Sequence, residues 1–226
     1  MKDNKQLIWE RFAKENPEFY ISSIDGIDYS TKEGQDFFYD SGIEETERFL
    51  NRVRKYLNQY EKALEIGCGI GRMTLPHAKL FKEVYGVDIS QTMLEKLNLM
   101  AKNRGISNIK TFTPDLYWDI PDCFDYIYSH AVFQHIPDFF IIESYIRRIS
   151  NSLKKEGIAQ LHFKTTPETL FHKIREYMPD FLLPKTQRRG IRCISRSPNL
   201  LKELFTKNNL KVIDELEETV FILQKI

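Results

Sequence analysis

The chain has 226 residues, 42% of them hydrophobic, enough for one large domain with a sizeable core. Lys and Arg number 33 against 32 Asp and Glu, a formal charge of +1, so no global field draws the protein to nucleic acid or an anionic membrane. The three cysteines, Cys68, Cys123 and Cys193, form no C-x-x-C, so neither a disulfide framework nor a zinc site is suggested and they read as small apolar fillers.

The first residues, MKDNKQLIWER, are charged and lack an apolar signal core, and no later run is long enough to span a bilayer; the expected location is the cytoplasm. Up to about Asn58 the chain is rich in aromatics, including Trp9, Phe12, Tyr20, Tyr29, Phe38 and Tyr39, with turn residues at Asp25-Gly26 and Ser41-Gly42. Such a segment needs a surface to lie on, and residues 1–58 are read as a cap and lead-in to a domain of residues 59–226. Phe49, Leu50, Val53, Tyr56 and Leu57 share one face of a helix predicted over Ile43 to Tyr60.

Ala63 to Ile66 is a short apolar strand that breaks at Gly67-Cys68-Gly69-Ile70-Gly71. Met73, Leu75, Ala78, Leu80 and Phe81 predict a helix, on which His77 reads as solvated, and Val84 to Val87 is the next strand, with Asp88 at its carboxyl end. Ser90 is placed to cap a helix running to about Arg104, with Met93, Leu94, Leu97 and Met100 as its buried stripe. Ile109 to Thr113 is a strand leading to Pro114-Asp115-Leu116, and Phe124 to Ser129 is the fourth strand. A helix over Phe139 to Leu153, capped by Asp138, precedes a fifth strand from Gly157 to Phe163. Thr165 to Ser197 then interrupts the alternation with a local basic excess, and a helix over Pro198 to Lys207 and strands over Lys211 to Glu215 and Thr219 to Gln224 close the chain. The alternation predicts an α/β fold, a mainly parallel sheet with helices on both faces.

In such sheets ligands bind beyond the carboxyl ends of the strands, where glycines let backbone N–H groups approach. The dinucleotide fingerprint wants G-x-G-x-x-G, but Arg72 stands at its last place and the glycines alternate instead, with Glu65 in the strand before them. The run E-I-G-C-G-I-G followed by V-D-I-S-Q-T-M-L resembles the class I S-adenosylmethionine-dependent methyltransferases, from about the helix before Ala63 to the C-terminus. The resemblance implies a doubly wound sheet of seven strands, the last inserted antiparallel, and S-adenosyl-L-methionine as the cofactor.

It further implies that Glu65, Gly67, Cys68, Gly69 and Gly71 serve the amino-acid end of the cofactor and that Asp88 accepts hydrogen bonds from its ribose, the bland alternative being a helix cap. Ile89 and Met93 would sandwich adenine and ribose, or simply pack in the core. Asp115 and Leu116 resemble the family's adenine contact, though Pro114 makes them equally a plain turn. The exit of the fourth strand, with Ser129 and His130, is where the family presents residues to the methyl group. His130 and His135 are candidate bases, needed only if the acceptor carries a proton at neutral pH; His135 reads equally as a structural loop residue. His162 and His172 are undecided.

The exit lacks the Asp/Asn-Pro-Pro-Tyr motif of exocyclic-amine methylation and the Pro-Cys of cytosine C5 chemistry, and no metal site is recognisable. The expected acceptor is therefore a small molecule, attacked through O or N, with no membrane and no nucleic acid as partner. The cap is read either as a lid, with Tyr20 and Tyr39 against the acceptor, or as a cover on the sheet's outer face. The segment 165–197 is read as the acceptor-side insertion, with Arg188, Arg189, Arg192 and Arg196 selecting an anion. The rivals are a protein or RNA methyltransferase, a non-catalytic cofactor-binding module, and a nicotinamide dehydrogenase, the last disfavoured by Arg72.

Overall fold

The computed structural model describes residues 4–114, 121–165, 178–182, 193–217 and 219–226. Strands β1 (Lys62–Ile66), β2 (Glu83–Val87), β3 (Ile109–Phe112), β4 (Phe124–Ser129), β5 (Leu153–His162), β6 (Leu210–Leu216) and β7 (Val220–Lys225) form one sheet in the order β3-β2-β1-β4-β5-β7-β6. β1 to β5 pair in parallel, and β7 enters antiparallel between β5 and β6. Parallel strands need crossovers, and these supply the helices: α4 (Thr74–His77), α5 (Gln91–Asn103), α6 (Phe139–Ser152) and α7 (Pro198–Lys207). The doubly wound, seven-stranded reading holds, including the antiparallel insertion.

Both faces of the sheet are covered. Leu64, Ile66, Val87, Ile127, Ala159 and Leu161 face a core closed by Ile142, Ile146 and Ile149 of α6 and by Leu201 and Phe205 of α7. On the other face Ala63, Val84, Tyr126, Tyr128 and Ile158 meet Phe49, Leu50 and Val53. These last belong to α3 (Lys32–Val53), which follows α1 (Asn4–Glu15) and α2 (Pro17–Ser22). A third core joins the aromatics of this region, Tyr29, Phe38 and Tyr39, to Ile70, Met93, Leu94 and Leu97. Each large apolar side chain so buried contributes about 1.5–3 kcal/mol. The aromatic start of the chain is thus built into the core.

Several local readings are corrected. The lead-in helix is Lys32–Val53, not Ile43 to Tyr60, because Thr31 caps it through the Gly34 N–H and Ser41-Gly42 lies within it. Gly42 is a contact glycine: a Cβ there would collide with the backbone carbonyl of Arg72. The helix expected after the glycine turn shrinks to Thr74–His77, since Pro76 has no N–H to continue the ladder and the chain turns through Ala78 to Leu80. His77 lies on it fully buried, not solvated. The strand expected from Gly157 begins at Leu153, with Glu156 in the left-handed region (φ 63°) and a register shift opposite Phe124 and Tyr126.

Candidate functional site

The chain leaves β1 through Gly67, whose N–H bonds the Val87 carbonyl at 2.7 Å. Gly67 and Gly69 have φ of 77° and 51°, conformations that L residues rarely adopt. A Cβ at Gly67 would enter Val132, and one at Gly69 would lie 2.7 Å from Cδ1 of Ile21 in α2. Gly71 packs against Leu97, and the buried Cys68 sulfur against Gly86. Burial drives the Cys68 thiol well up, which keeps it protonated and unreactive.

The loop turns the Gly69 amide toward Asp88. Oδ2 of Asp88 accepts the Gly69 N–H and Oδ1 the Ser90 N–H, both at 2.9 Å. Ser90 in turn caps α5, accepting the Met93 N–H at 3.2 Å. Burial raises Asp88 to about 6, opposed by the two amide bonds and helped by the nearby Glu10. Met93 is buried and Ile89 half-buried, its carbonyl accepting from Gln6 Nε2 at 3.1 Å. α1 therefore lies against the start of α5, beside the acid.

Beneath the loop, Glu65 is buried at the pairing position opposite Tyr128. Its Oε2 accepts from Thr74 Oγ1 at 2.5 Å and from Tyr128 OH at 2.9 Å. Desolvation dominates nonetheless and lifts Glu65 to about 8, against those two bonds and the pull of Arg72. His77 stacks on Tyr128 with ring centroids 4.0 Å apart, and burial lowers it to about 4. A neutral, aromatic-lined carboxyl at pH 7 is the result.

At the exit of β4, Ser129 is buried and donates to the Ile66 carbonyl at 3.0 Å, so it fastens β4 to β1. His130 follows it, edge-on to Phe49 at 5.0 Å and stacked on His162 at 5.1 Å, with Nε2 3.7 Å from Glu45 Oε1. Desolvation, then His162, Arg72, Arg48 and Arg52, lowers it to about 3. That depression argues against His130 as a strong base. The His135 ring lies 5.9 Å from that of Trp9 in α1, which bridges the cap to this loop.

The acceptor-side expectations fare unevenly. Tyr20 stacks on Phe12 at 3.8 Å and donates to Glu15, an arrangement internal to the cap. Tyr39 is a core residue under the Arg104 guanidinium, which lies 4.0 Å from its ring centroid, and burial pushes its hydroxyl up to about 12; it is not an exposed wall. Arg196 donates to the Ile136 and Pro137 carbonyls at 3.0 and 2.6 Å and so ties the loop after β4 to the segment before α7. Asp115, Leu116, His172, Arg188, Arg189 and Arg192 lie outside the described residues.

Residues 63–157 match the family model described as "Methyltransferase domain". Over these residues the chain is a methyltransferase domain, and its sheet has the class I fold. It is 31% identical over 159 residues to ubiquinone biosynthesis O-methyltransferase of Bartonella bacilliformis, covering 69% of this chain and 62% of that one. Phosphoethanolamine N-methyltransferase 1 of Arabidopsis thaliana is 28% identical, over 61% of this chain and 30% of its own. The chain thus spans less than two thirds of the length of these curated relatives. Magnesium protoporphyrin IX methyltransferase of Synechocystis, solved with bound S-adenosylhomocysteine, shares the fold at a TM-score of 0.64 and 16% identity, over 98% of this chain and 100% of that one.

The methyltransferase site fits S-adenosylmethionine by its donor set. Each Asp88 oxygen carries one amide bond and keeps a lone pair for a hydroxyl donor. Glu65 adds a carboxyl whose ionisation a cationic ligand would favour. Sequence reasoning missed Glu10, Glu45, Arg52 and Tyr128. Tyr128 could have been found from strand register, since β1 and β4 bring it opposite Glu65. The others reach the site from cap helices, whose docking no local pattern encodes.

Proposed function

We propose that this methyltransferase transfers a methyl group from S-adenosylmethionine to an oxygen or nitrogen of a small, anionic acceptor. The observation that carries the reading is the convergence of the Gly69 amide on Asp88 at the carboxyl ends of β1 and β2, above a buried Glu65. The ribose would be held by Asp88, the amino-acid end by Glu65 and the glycine loop, and the adenine by Asp115 and Leu116. S-adenosylmethionine, when bound, supplies a methyl group on a sulfonium sulfur, with an excellent leaving group. What remains for the protein is alignment and the exclusion of water.

Trp9 against His135, and Ile21 over Gly69, support the cap of residues 1–58 as a cover on this site. His130, neutral at pH 7, keeps a lone pair for a hydrogen bond from the acceptor and positions it. The named relatives, an O-methyltransferase and an N-methyltransferase, support a small-molecule acceptor. Calorimetry with S-adenosylhomocysteine and with NAD tests the cofactor, and a screen of small acids, phenols and amines for S-adenosylhomocysteine release tests the acceptor. Saturable binding of NAD alone would overturn the first; release only with uncharged acceptors would overturn the anionic reading.

A further inference from the structure

Between α3 and the carboxyl ends of β4 and β5 lies a second cluster of aromatic and basic side chains. His130 follows β4, His162 ends β5, and their rings stack with 21° between planes. On the α3 side Phe49 meets His130, and the Arg52 guanidinium lies 6.0 Å from the Phe49 ring centroid. The four side chains therefore form one contiguous chain of contacts from Arg52 to His162.

Two details give this cluster a direction. Nδ1 of His162 accepts the Ala131 N–H at 3.3 Å, which leaves the proton of the neutral ring on Nε2 as a donor. Ala131 is itself held at φ 59°, in the left-handed region, where the backbone turns its N–H to that ring. The charges are also unbalanced. Arg48, Arg52 and Arg72 all act on His130, against the single carboxylate of Glu45 beside it. Arg48 bonds Glu45 at 3.0 Å and Arg72 reaches Ser41 at 3.1 Å, whereas no carboxylate among the described residues pairs with Arg52.

We propose that this cluster is an oxyanion subsite, in which Arg52 and the Nε2–H of His162 bind the carboxylate or phosphate group of the methyl acceptor. It deepens the methyl-transfer reading and rests on it for the ligand's role. Arginine's planar fork suits either oxyanion, and a half-buried guanidinium without a carboxylate gains most from one. The position also serves the reaction: an acceptor anchored beyond β5 is held beside the β4 exit, next to Gly67, which packs on Val132 of the same loop.

The test is a titration of the His130 and His162 imidazole NMR signals with inorganic phosphate and with benzoate, at matched ionic strength, in the presence of S-adenosylhomocysteine. Saturable shifts of both rings are expected, with an affinity lowered about tenfold or more by Arg52→Met while that for S-adenosylhomocysteine is unchanged. Response to phosphate alone, or to benzoate alone, identifies the oxyanion and supports the subsite either way. Should Arg52→Met fail to fold, His162→Asn keeps an acceptor for the Ala131 N–H but leaves no donor at the Nε2 position, and the His130 signal must report the same loss. No saturable shift with either anion, or equal affinity in the variants, overturns the proposal. Binding of S-adenosylhomocysteine without either anion removes the subsite alone, whereas anion binding without S-adenosylhomocysteine removes the methyl-transfer reading and leaves the subsite.

Discussion

The Glu10 carboxylate of α1 accepts the backbone N–H of Gln91 at 2.7 Å, so a side chain from the cap satisfies one of the unpaired amides at the start of α5. Further bonds to Thr92 and Ser90 outweigh the effect of burial and lower Glu10 below the usual carboxylate range. Glu10→Ala should cost about 1 kcal/mol, the usual worth of a helix cap, and should loosen α1 selectively. Amide exchange across Asn4–Glu15 should rise, and S-adenosylhomocysteine should dissociate faster. Unchanged exchange would show that the cap is anchored elsewhere.

Asp88→Ala should weaken S-adenosylhomocysteine binding by roughly 1–3 kcal/mol, the range for losing a charged hydrogen-bond partner. Because Asp88 also holds the Gly69 and Ser90 amides, the variant should melt earlier as well. Calorimetry and thermal melting separate the two effects. A lower melting temperature with intact affinity would reduce Asp88 to a structural clasp.

Gly42 sits inside α3, where alanine would gain about 1 kcal/mol of helix propensity. The added Cβ, however, meets the Arg72 carbonyl, a backbone atom that cannot rotate away. Overpacking of this kind costs about 1–3 kcal/mol, so Gly42→Ala should destabilise the protein in urea. A stabilised variant would mean that α3 is free to shift from the glycine loop.

Glu65 holds its proton to about 8 in the folded chain against an ordinary value of 4.5, because burial disfavours the carboxylate. Between those values the folded state binds more protons, so stability is fully present below 4.5 and falls as pH rises toward 8. His77 and His130 act oppositely: lowered to about 4 and about 3 from 6.5, they add stability that is lost as pH falls. Asp88, raised to about 6, acts like Glu65 but has lost its proton by about 7, so the Glu65 effect is cleanest above that pH, where the slope should lie near its limit of about 1.4 kcal/mol per pH unit. Glu65→Gln should flatten it in denaturant titrations from neutral to mildly alkaline pH; an unaltered slope would assign it to another group.

The sheet was legible because its signals are local. Alternating strands and helices mark the topology, and Gly67, Gly69 and Asp88 announce a turn and an acid that need no distant partner. Ser90 and Asp138 were read correctly as caps, each bonding an amide two or three residues on. Readings failed where a residue's role is set by another element. Gly42 looks like a turn in sequence and becomes a helix contact only because Arg72 lies across from it. His77 looks solvated until Tyr128 covers it, and the polar Glu45 and Arg52 of α3 gain meaning only when β4 and β5 bring up the histidines.

The place of β7 in the sheet has a consequence for how the fold is reached. β6 precedes β7 along the chain but joins the other strands only through it, and β5 has β7 as its outer neighbour. During vectorial synthesis β6 therefore emerges with nothing to pair with, and the edge of β5, rich in Ile158, Ala159 and Leu161, stays open until Val220–Lys225 arrives. That interval is when the chain is most exposed to aberrant strand addition. β7 closes two open edges at once, so cooperativity of the whole sheet hangs on the strand that is made last among the seven.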